Sequence, residues 1–300
     1  MIASSVGFLP EHISPSSARN YLGCPHRFQL ERVLRMPAPV SPALHVGRAV
    51  HAALQMFHRA RWRGGDDSPS AVRDAYECAF LALELQEGPV SFKDDAHRDK
   101  VRDDGARVVA AYLESGEAPT EPPRGVEVSL KENLPGLAVP LTGTLDLVLG
   151  DRTTVDFKSA ASRPDPEQAL FDHEIQLVSY QMLVESATGE TPPTLDLLYL
   201  VKTKTPQVIR LTSPPADDTR KRRVLGLLAL AVEGIASGRF HPQPGPACAW
   251  CPFRTRCLAW QPDPQSDPPQ QQPGRPSTRP SVRRAPAVRP VSTPTLIPQP

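Results

Sequence analysis

The stretch Leu141-Thr142-Gly143-Thr144-Leu145-Asp146-Leu147-Val148-Leu149, the turn Gly150-Asp151-Arg152, and Thr153-Thr154-Val155-Asp156-Phe157-Lys158 decide how this chain is read. Both flanks are short, apolar and rich in β-branched residues, and glycine with aspartate between them supplies a tight return. An antiparallel strand pair is expected. Side chains alternate along a strand, so Asp156 and Lys158 share one face and Phe157 takes the other. With so short a turn, Asp146 comes laterally close to Asp156. Each acid sits in an apolar run, where a charge is costly unless it is paired or bound to a cation. Two carboxylates, a backbone carbonyl and water make the oxygen-rich shell that Mg²⁺ or Mn²⁺ prefers. Lys158 beside them can hold an attacking water or stabilise charge on a phosphate. Taken alone, Asp-x-Lys also describes the polar face of a half-exposed strand.

Outward from this pair, Gly125 to Lys131 reads as a preceding strand, with Gly136 in the connection, so three strands form a meander. Ahead of it the spacing predicts helices. The first starts at the Ser14-Pro15 cap and stops near Gly23 to Pro25, and the second runs from about His26 to Leu34. Ala43 to Arg61 carries a buried stripe at Val46, Val50, Leu54 and Phe57, and Ser70 to Gln86 and Asp95 to Glu114 follow. Beyond the meander come a helix over Asp165 to Ser186, strands at Leu195 to Lys202 and Gln207 to Leu211, and a helix over Asp217 to Ser237. This order predicts an α/β fold with a mixed central sheet flanked by helices.

At these residues the chain resembles the PD-(D/E)XK nuclease superfamily, and within it the RecB-like exonucleases. Gly47-Arg48-Ala49-Val50-His51 is similar to the family's Gly-x-x-x-His helix, Gly143-Thr144-Leu145-Asp146 to the strand with the first metal carboxylate, and Asp156-Phe157-Lys158 to the second carboxylate and the catalytic lysine. Gln176-Leu177-Val178-Ser179-Tyr180 resembles the Gln-x-x-x-Tyr motif that orients active-site groups. The resemblance implies a restriction-endonuclease-like core and hydrolysis of DNA phosphodiesters with Mg²⁺ or Mn²⁺. It implies His51, Asp146 and Asp156 at the metal, and Lys158, Gln176 and Tyr180 with the acids in catalysis. Read from the residues alone, His51 also fits a hydrogen-bonded core histidine, and Gln176 with Tyr180 a polar helix face. Glu127 resembles an extra acid of the family, yet its alternation with Val128 and Leu130 is that of any amphipathic strand.

Cys248, Cys251 and Cys257 fall within ten residues, and Cys24 lies far upstream in Gly23-Cys24-Pro25. Four thiolates can hold zinc or an iron–sulfur cluster, and spacing does not separate these. The arrangement is similar to that of iron–sulfur nucleases related to RecB, including AddB-type subunits and CRISPR-associated exonucleases. In those, one early cysteine and a late triplet ligate a 4Fe–4S cluster that joins the two ends of the domain. Cys78, inside a helical run, reads as a buried small apolar residue. Trp250, Trp260, Arg254 and Arg256 near the triplet suit either single-stranded DNA or a small core around the metal. Lys202, Lys204, Lys221, Arg222 and Arg223 could follow a nucleic acid backbone or open a solvated helix.

With 34 basic and 33 acidic residues, a polyanion would have to be held by a local patch and not by the whole field. Five cysteines in 300 residues exclude a disulfide scaffold. No apolar run reaches the length of a membrane span and the start lacks the sections of a secretory signal, so a cytoplasmic protein is expected. The nuclease domain is expected over 1–261 and a disordered Pro/Arg-rich tail over 262–300. No GxxxxGK[ST] run occurs, so the nuclease is expected to be free-standing or to act in trans with a helicase. The expected role is DNA repair or recombination, with single-stranded DNA favoured. A non-catalytic DNA-binding module, an RNA nuclease and a CRISPR spacer-processing nuclease are the rivals.

Overall fold

Ser14-Pro15, Ser41-Pro42, Ser68-Pro69 and Asp165-Pro166 each open a helix in the same way. The Ser or Asp side chain accepts a backbone N–H of the first turn, and proline occupies the first helical position, where no donor is missed. The computed structural model describes residues 9–261, and the expected tail over 262–300 lies outside them. The helices before the sheet are α1 (Pro15–Gly23), α2 (Pro25–Phe28), α3 (Pro42–Arg63), α4 (Pro69–Glu87) and α5 (Asp95–Glu114). Then follow β1 (Gly125–Glu132), β2 (Leu141–Val148), β3 (Thr154–Ala160), α6 (Pro166–Asp172) and α7 (Glu174–Thr188). After them come β4 (Leu195–Val201), β5 (Gln207–Ser213), α8 (Asp218–Ala236) and the short α9 (Arg254–Leu258).

The five strands lie in the order β1-β2-β3-β4-β5. The first three form the antiparallel meander, β4 is parallel to β3 after the α6–α7 crossover, and β5 returns antiparallel. Helices cover both faces. Val155 and Phe157 of β3 and Leu198 and Leu200 of β4 pack with Val50, Leu54 and Tyr112 of α3 and α5. On the other face Leu141 and Leu145 of β2 pack under Val178 and Leu183 of α7 and Leu228 of α8. Buried on both faces, β4 reads Leu-Asp-Leu-Leu-Tyr-Leu-Val, an apolar run rather than an alternation. Its one charge, Asp196, is neutralised by Arg210 Nη1 at 2.7 Å.

Three local expectations need correction. The helix expected over Asp165 to Ser186 is two, because His173 leaves helical geometry (φ −102°, ψ 6°) and closes α6 by donating its N–H to Ala169. The helix expected from His26 ends at Phe28 and continues as a π-helical turn, Gln29–Val33. Cys78 is exposed: Val72, Tyr76 and Phe80 form the buried stripe of α4, and Cys78 points away from it. Among the described residues no helix is long and apolar enough to cross a membrane.

Candidate active site

The acids sit where the sheet is faulted. Residues two apart on a strand should share a face, yet Leu145 packs toward α7 and Leu147 toward α3 and α5. The same switch separates Val126 from Val128 on β1. Between these pairs stand Asp146 and Glu127, and the register Val126↔Leu147, Val128↔Leu145 sets them opposite each other. Glu127 has φ 53°, the left-handed region that disfavours a side chain, which is how β1 turns its acid toward β2. From α3, His51 Nδ1 comes to 3.5 Å from Asp146 Oδ2. Ligand atoms of His51, Glu127 and Asp146 thus all lie within 4.8 Å of one another.

Beside this group β2 and β3 part. Their pairing runs through Leu147↔Val155 and Val148↔Thr154 and then stops. Asp146 Oδ2 takes over the ladder's role, accepting the N–H of Phe157 at 2.8 Å. Asp156 and Lys158 face α7, with Lys158 Nζ 2.6 Å from Asp156 Oδ2. Gln176 joins both: its amide donates to Asp156 Oδ1 at 2.6 Å, and its carbonyl oxygen accepts from Lys158 Nζ at 2.9 Å. The same amide donates to Tyr180 Oη, which donates to the Thr144 carbonyl, both at 2.9 Å. This chain of bonds ties α7 to β2 and leaves Gln176 one orientation. Gly143 permits the approach, since a Cβ there would lie 2.7 Å from Leu183 Cδ1 and 3.0 Å from Tyr180 Cε1. On the opposite side, a Cβ at Gly47 would meet Ser159 Oγ at 3.2 Å, so this glycine admits β3 rather than open space.

The electrostatics follow from burial and from crowded acids. Burial raises the Asp156 carboxyl above the usual range, with Lys158 opposing and Asp146 adding to the rise. Burial and then the charge of Asp146 raise Glu127. Burial would lower His51, but the hydrogen bond and charge of Asp146 raise it overall. Two carboxylates opposed across a strand pair repel, and a cation between them removes that cost. His51, Glu127 and Asp146 offer one imidazole nitrogen and carboxylate oxygens, a donor set suited to a divalent ion such as Mg²⁺ or Mn²⁺.

The structure therefore brings together every residue expected at the metal or in catalysis, but in two subgroups. His51 and Asp146 stand with Glu127, while Asp156 keeps both oxygens on Lys158 and Gln176. His173 and Arg19 went unnoticed in the sequence. His173 Nδ1 accepts Arg19 Nη1 at 3.3 Å, and burial, then the charges of Lys158 and Arg19, lower its pKa to about 4. No local pattern marks a histidine that ends one helix and starts the next.

A family model described as the PD-(D/E)XK nuclease superfamily matches residues 12–258. The chain belongs to the PD-(D/E)XK nuclease superfamily. Two solved structures are similar to this nuclease. A candidate exonuclease from Eubacterium rectale is 17% identical, with a TM-score of 0.52 over 80% of this chain and 87% of that one. SSO0001 is 16% identical, with a TM-score of 0.41 over 83% of this chain and 87% of that one. No curated protein matches.

The cysteines lie apart from this centre. Cys24 caps α2, its Sγ accepting the Arg27 N–H at 3.5 Å. Cys248 lies in the 3₁₀ turn Pro246–Trp250, Cys251 ends that turn and Cys257 lies in α9. Burial, then the charges of Cys24, Cys251 and Cys248, raise the Cys257 thiol. Among the described residues, no three of these sulfurs lie within 4.8 Å of one another. Trp250 is 82% exposed, so the aromatic of this segment that packs inward is Phe253. Of the second basic region, Lys221 pairs with Glu185 and Arg223 with Glu174, and burial lowers Lys202.

Proposed function

We propose that this chain is a Mg²⁺- or Mn²⁺-dependent deoxyribonuclease that hydrolyses phosphodiester bonds. The observation that carries the reading is the abutment of two unlike groups. An acid–histidine set able to hold a cation stands one residue from a lysine already paired and aimed by Asp156 and Gln176. His51, Glu127 and Asp146 would hold the ion, and Asp156, which borders them, is proposed as a further donor. When bound, the ion supplies Lewis acidity at the scissile phosphate. Lys158 places its ammonium where charge grows on that phosphate. Gln176 positions Lys158 and Asp156 together, and Tyr180 holds Gln176 to β2.

The test replaces Asp156 and Lys158 singly by alanine and follows end-labelled and circular DNA with Mg²⁺ or Mn²⁺. Each variant should lose degradation while keeping its far-UV circular dichroism. Activity retained in either would sink the assignment, and wild-type degradation of end-labelled but not circular DNA would identify the proposed exonuclease mode. Single-stranded DNA, a role in repair, a helicase partner in trans and a cytoplasmic setting belong to the same proposal.

A 4Fe–4S cluster on Cys24, Cys248, Cys251 and Cys257 is proposed with it. What supports the cluster over zinc is the pattern of one early cysteine and a late triplet, which resembles that of the iron–sulfur nucleases related to RecB. The cluster would fasten the α1–α2 junction to the C-terminal segment and so stabilise the fold.

A further inference from the structure

Two clefts open from the reaction centre. One, of about 510 Å³, lies over β1 and β2 and is bordered by His12, Ser129 and Lys131. The other, of about 860 Å³, runs along α1 from Lys158 past Arg19 and Arg27 to Cys24, Cys248 and Cys251, and the proposed cluster would fill that far end. Pro15, Ser16 and Gln176 line both, so the clefts meet at the side chain that holds Lys158.

Their charge is one-sided. The chain carries nearly equal numbers of acidic and basic residues, yet no aspartate or glutamate lines either cleft, while Lys131, Lys158, Arg19 and Arg27 do. Such a lining suits an extended polyanion. Among Phe, Tyr and Trp, only Tyr180 lines either cleft, and its hydroxyl is committed to Thr144. Binding there must rest on phosphates more than on base stacking, which makes it tolerant of sequence and sensitive to salt. One wall is fixed: Ile13 donates its N–H to Pro140 at 3.0 Å and accepts that of Thr142 at 2.8 Å, fastening the segment before α1 to β2. Lys158, at 22% side-chain exposure, lies low between that wall and α7.

We propose that the first cleft and the Arg19 end of the second form one groove for a single nucleic acid strand, crossing the reaction centre at Gln176 and Lys158. Lys131 and Arg19 bind its phosphates on either side. This rests on the phosphodiesterase reading of the site. A single strand fits because the scissile phosphate must reach a lysine set low beside a fixed wall, where a paired strand would be obstructed. A third basic cleft, of about 420 Å³ at Gln55, Arg59 and Arg63 on α3, has Asp66 in its lining and shares no residue with the Lys158 network.

The test is fluorescence anisotropy of the full chain with a labelled single-stranded DNA oligonucleotide across a salt series, with Ca²⁺ in place of Mg²⁺. The slope of log K against log salt should fall by about 0.7 for each phosphate that is no longer neutralised, the single-strand value. Lys131→Ala and Arg19→Ala should each show that fall, Arg19→Lys should restore the slope, and Arg63→Ala should match the wild type. Lys131→Ala guards against a folding defect at Arg19, whose bond with His173 is also removed. Wild-type slopes in Lys131→Ala and Arg19→Ala would overturn the groove, as would a fall at Arg63→Ala in their place. So would a duplex of equal length that binds as tightly. If the slopes fall as expected but no divalent ion supports cleavage, the groove stands and hydrolysis fails. If cleavage occurs with unchanged slopes, the reverse holds.

Discussion

Asp146 Oδ2 accepts the backbone N–H of Phe157 at 2.8 Å, at the point where β2 and β3 cease to pair. One carboxylate therefore has two tasks: it closes the sheet and it faces His51 and Glu127. The tasks separate by substitution. Asp146→Asn keeps an acceptor oxygen for Phe157 but removes the charge, so thermal stability should stay near the wild type while activity falls by on the order of a hundredfold or more. Asp146→Ala loses both and leaves a buried donor unpaired, costing a further 1 to 3 kcal/mol, roughly, in chemical denaturation. Equal stability of the two variants would show that the bond to Phe157 contributes nothing.

Glu127 and Asp146 oppose each other across the β1–β2 pair, and burial, then the charge of Asp146, raises the Glu127 carboxyl. Glu127→Gln should therefore stabilise the metal-free protein, by about 0.5 to 1 kcal/mol for relief of a like-charged cross-strand pair. The same change should reduce the stabilisation gained on adding Mn²⁺. A smaller gain on adding Mn²⁺ in the variant than in the wild type, read by differential scanning calorimetry, distinguishes a metal ligand from a strand residue. An equal gain in the two proteins would remove Glu127 from the site.

Much of the fold was legible in the sequence, and what was not has a physical reason. Apolar periodicity predicts the meander and the helix stripes because burial imposes it. The Ser-Pro and Asp-Pro pairs mark helix starts because caps and proline act within one turn. The site is less legible. Alternation places Asp156 and Lys158 on one face, as observed, but gives no warning that β1 and β2 switch faces at Glu127 and Asp146. That switch needs φ 53° at a glutamate, a choice made by tertiary packing and not by local propensity. The break at His173 contains neither glycine nor proline, and its partner Arg19 is 154 residues away. The family resemblance supplies the residue set, whereas the division into a cation-holding group and a lysine-holding group arises from the face switch of β1 and β2, which leaves no local mark.

Gly143 matters for what it lacks. Gly143→Ala puts a methyl group against Leu183 and Tyr180, so α7 must shift or the strand must bend, at a cost of about 1 to 3 kcal/mol. Because Tyr180 and Gln176 ride on α7, kcat should fall as well. Gly47→Ala, where the one near atom is the rotatable Ser159 hydroxyl, should be milder in both respects. Urea denaturation and steady-state kinetics on the two variants would test the contrast, and a Gly143→Ala protein with wild-type kcat would refute the positioning role.

The proposed cluster predicts a colour. Protein purified without oxygen should be brown and contain iron, and Cys24→Ser should lose both the iron and several degrees of Tm, since the tie between the α1–α2 junction and the C-terminal segment is cut. A colourless wild-type protein carrying one zinc would replace the cluster with a zinc site.

His58 stacks on Phe157, with ring centroids 5.7 Å apart, and Nε2 shares a hydrogen bond of 2.8 Å with Tyr112 Oη. Burial, then the charge of Arg61, lowers its pKa from 6.5 to about 3. The sign follows from linkage. Above pH 6.5 the group is neutral in both states and contributes no pH dependence. Between 6.5 and about 3 the unfolded chain binds a proton that the native state refuses, so stability falls as pH falls. At about 1.36 kcal/mol per pH unit the full loss is on the order of 4 to 5 kcal/mol. His58→Gln keeps a hydrogen-bonding side chain but cannot titrate. Its denaturation midpoint should therefore decline less than that of the wild type between pH 6.5 and 4, and parallel declines would mean that His58 is not held neutral against Phe157.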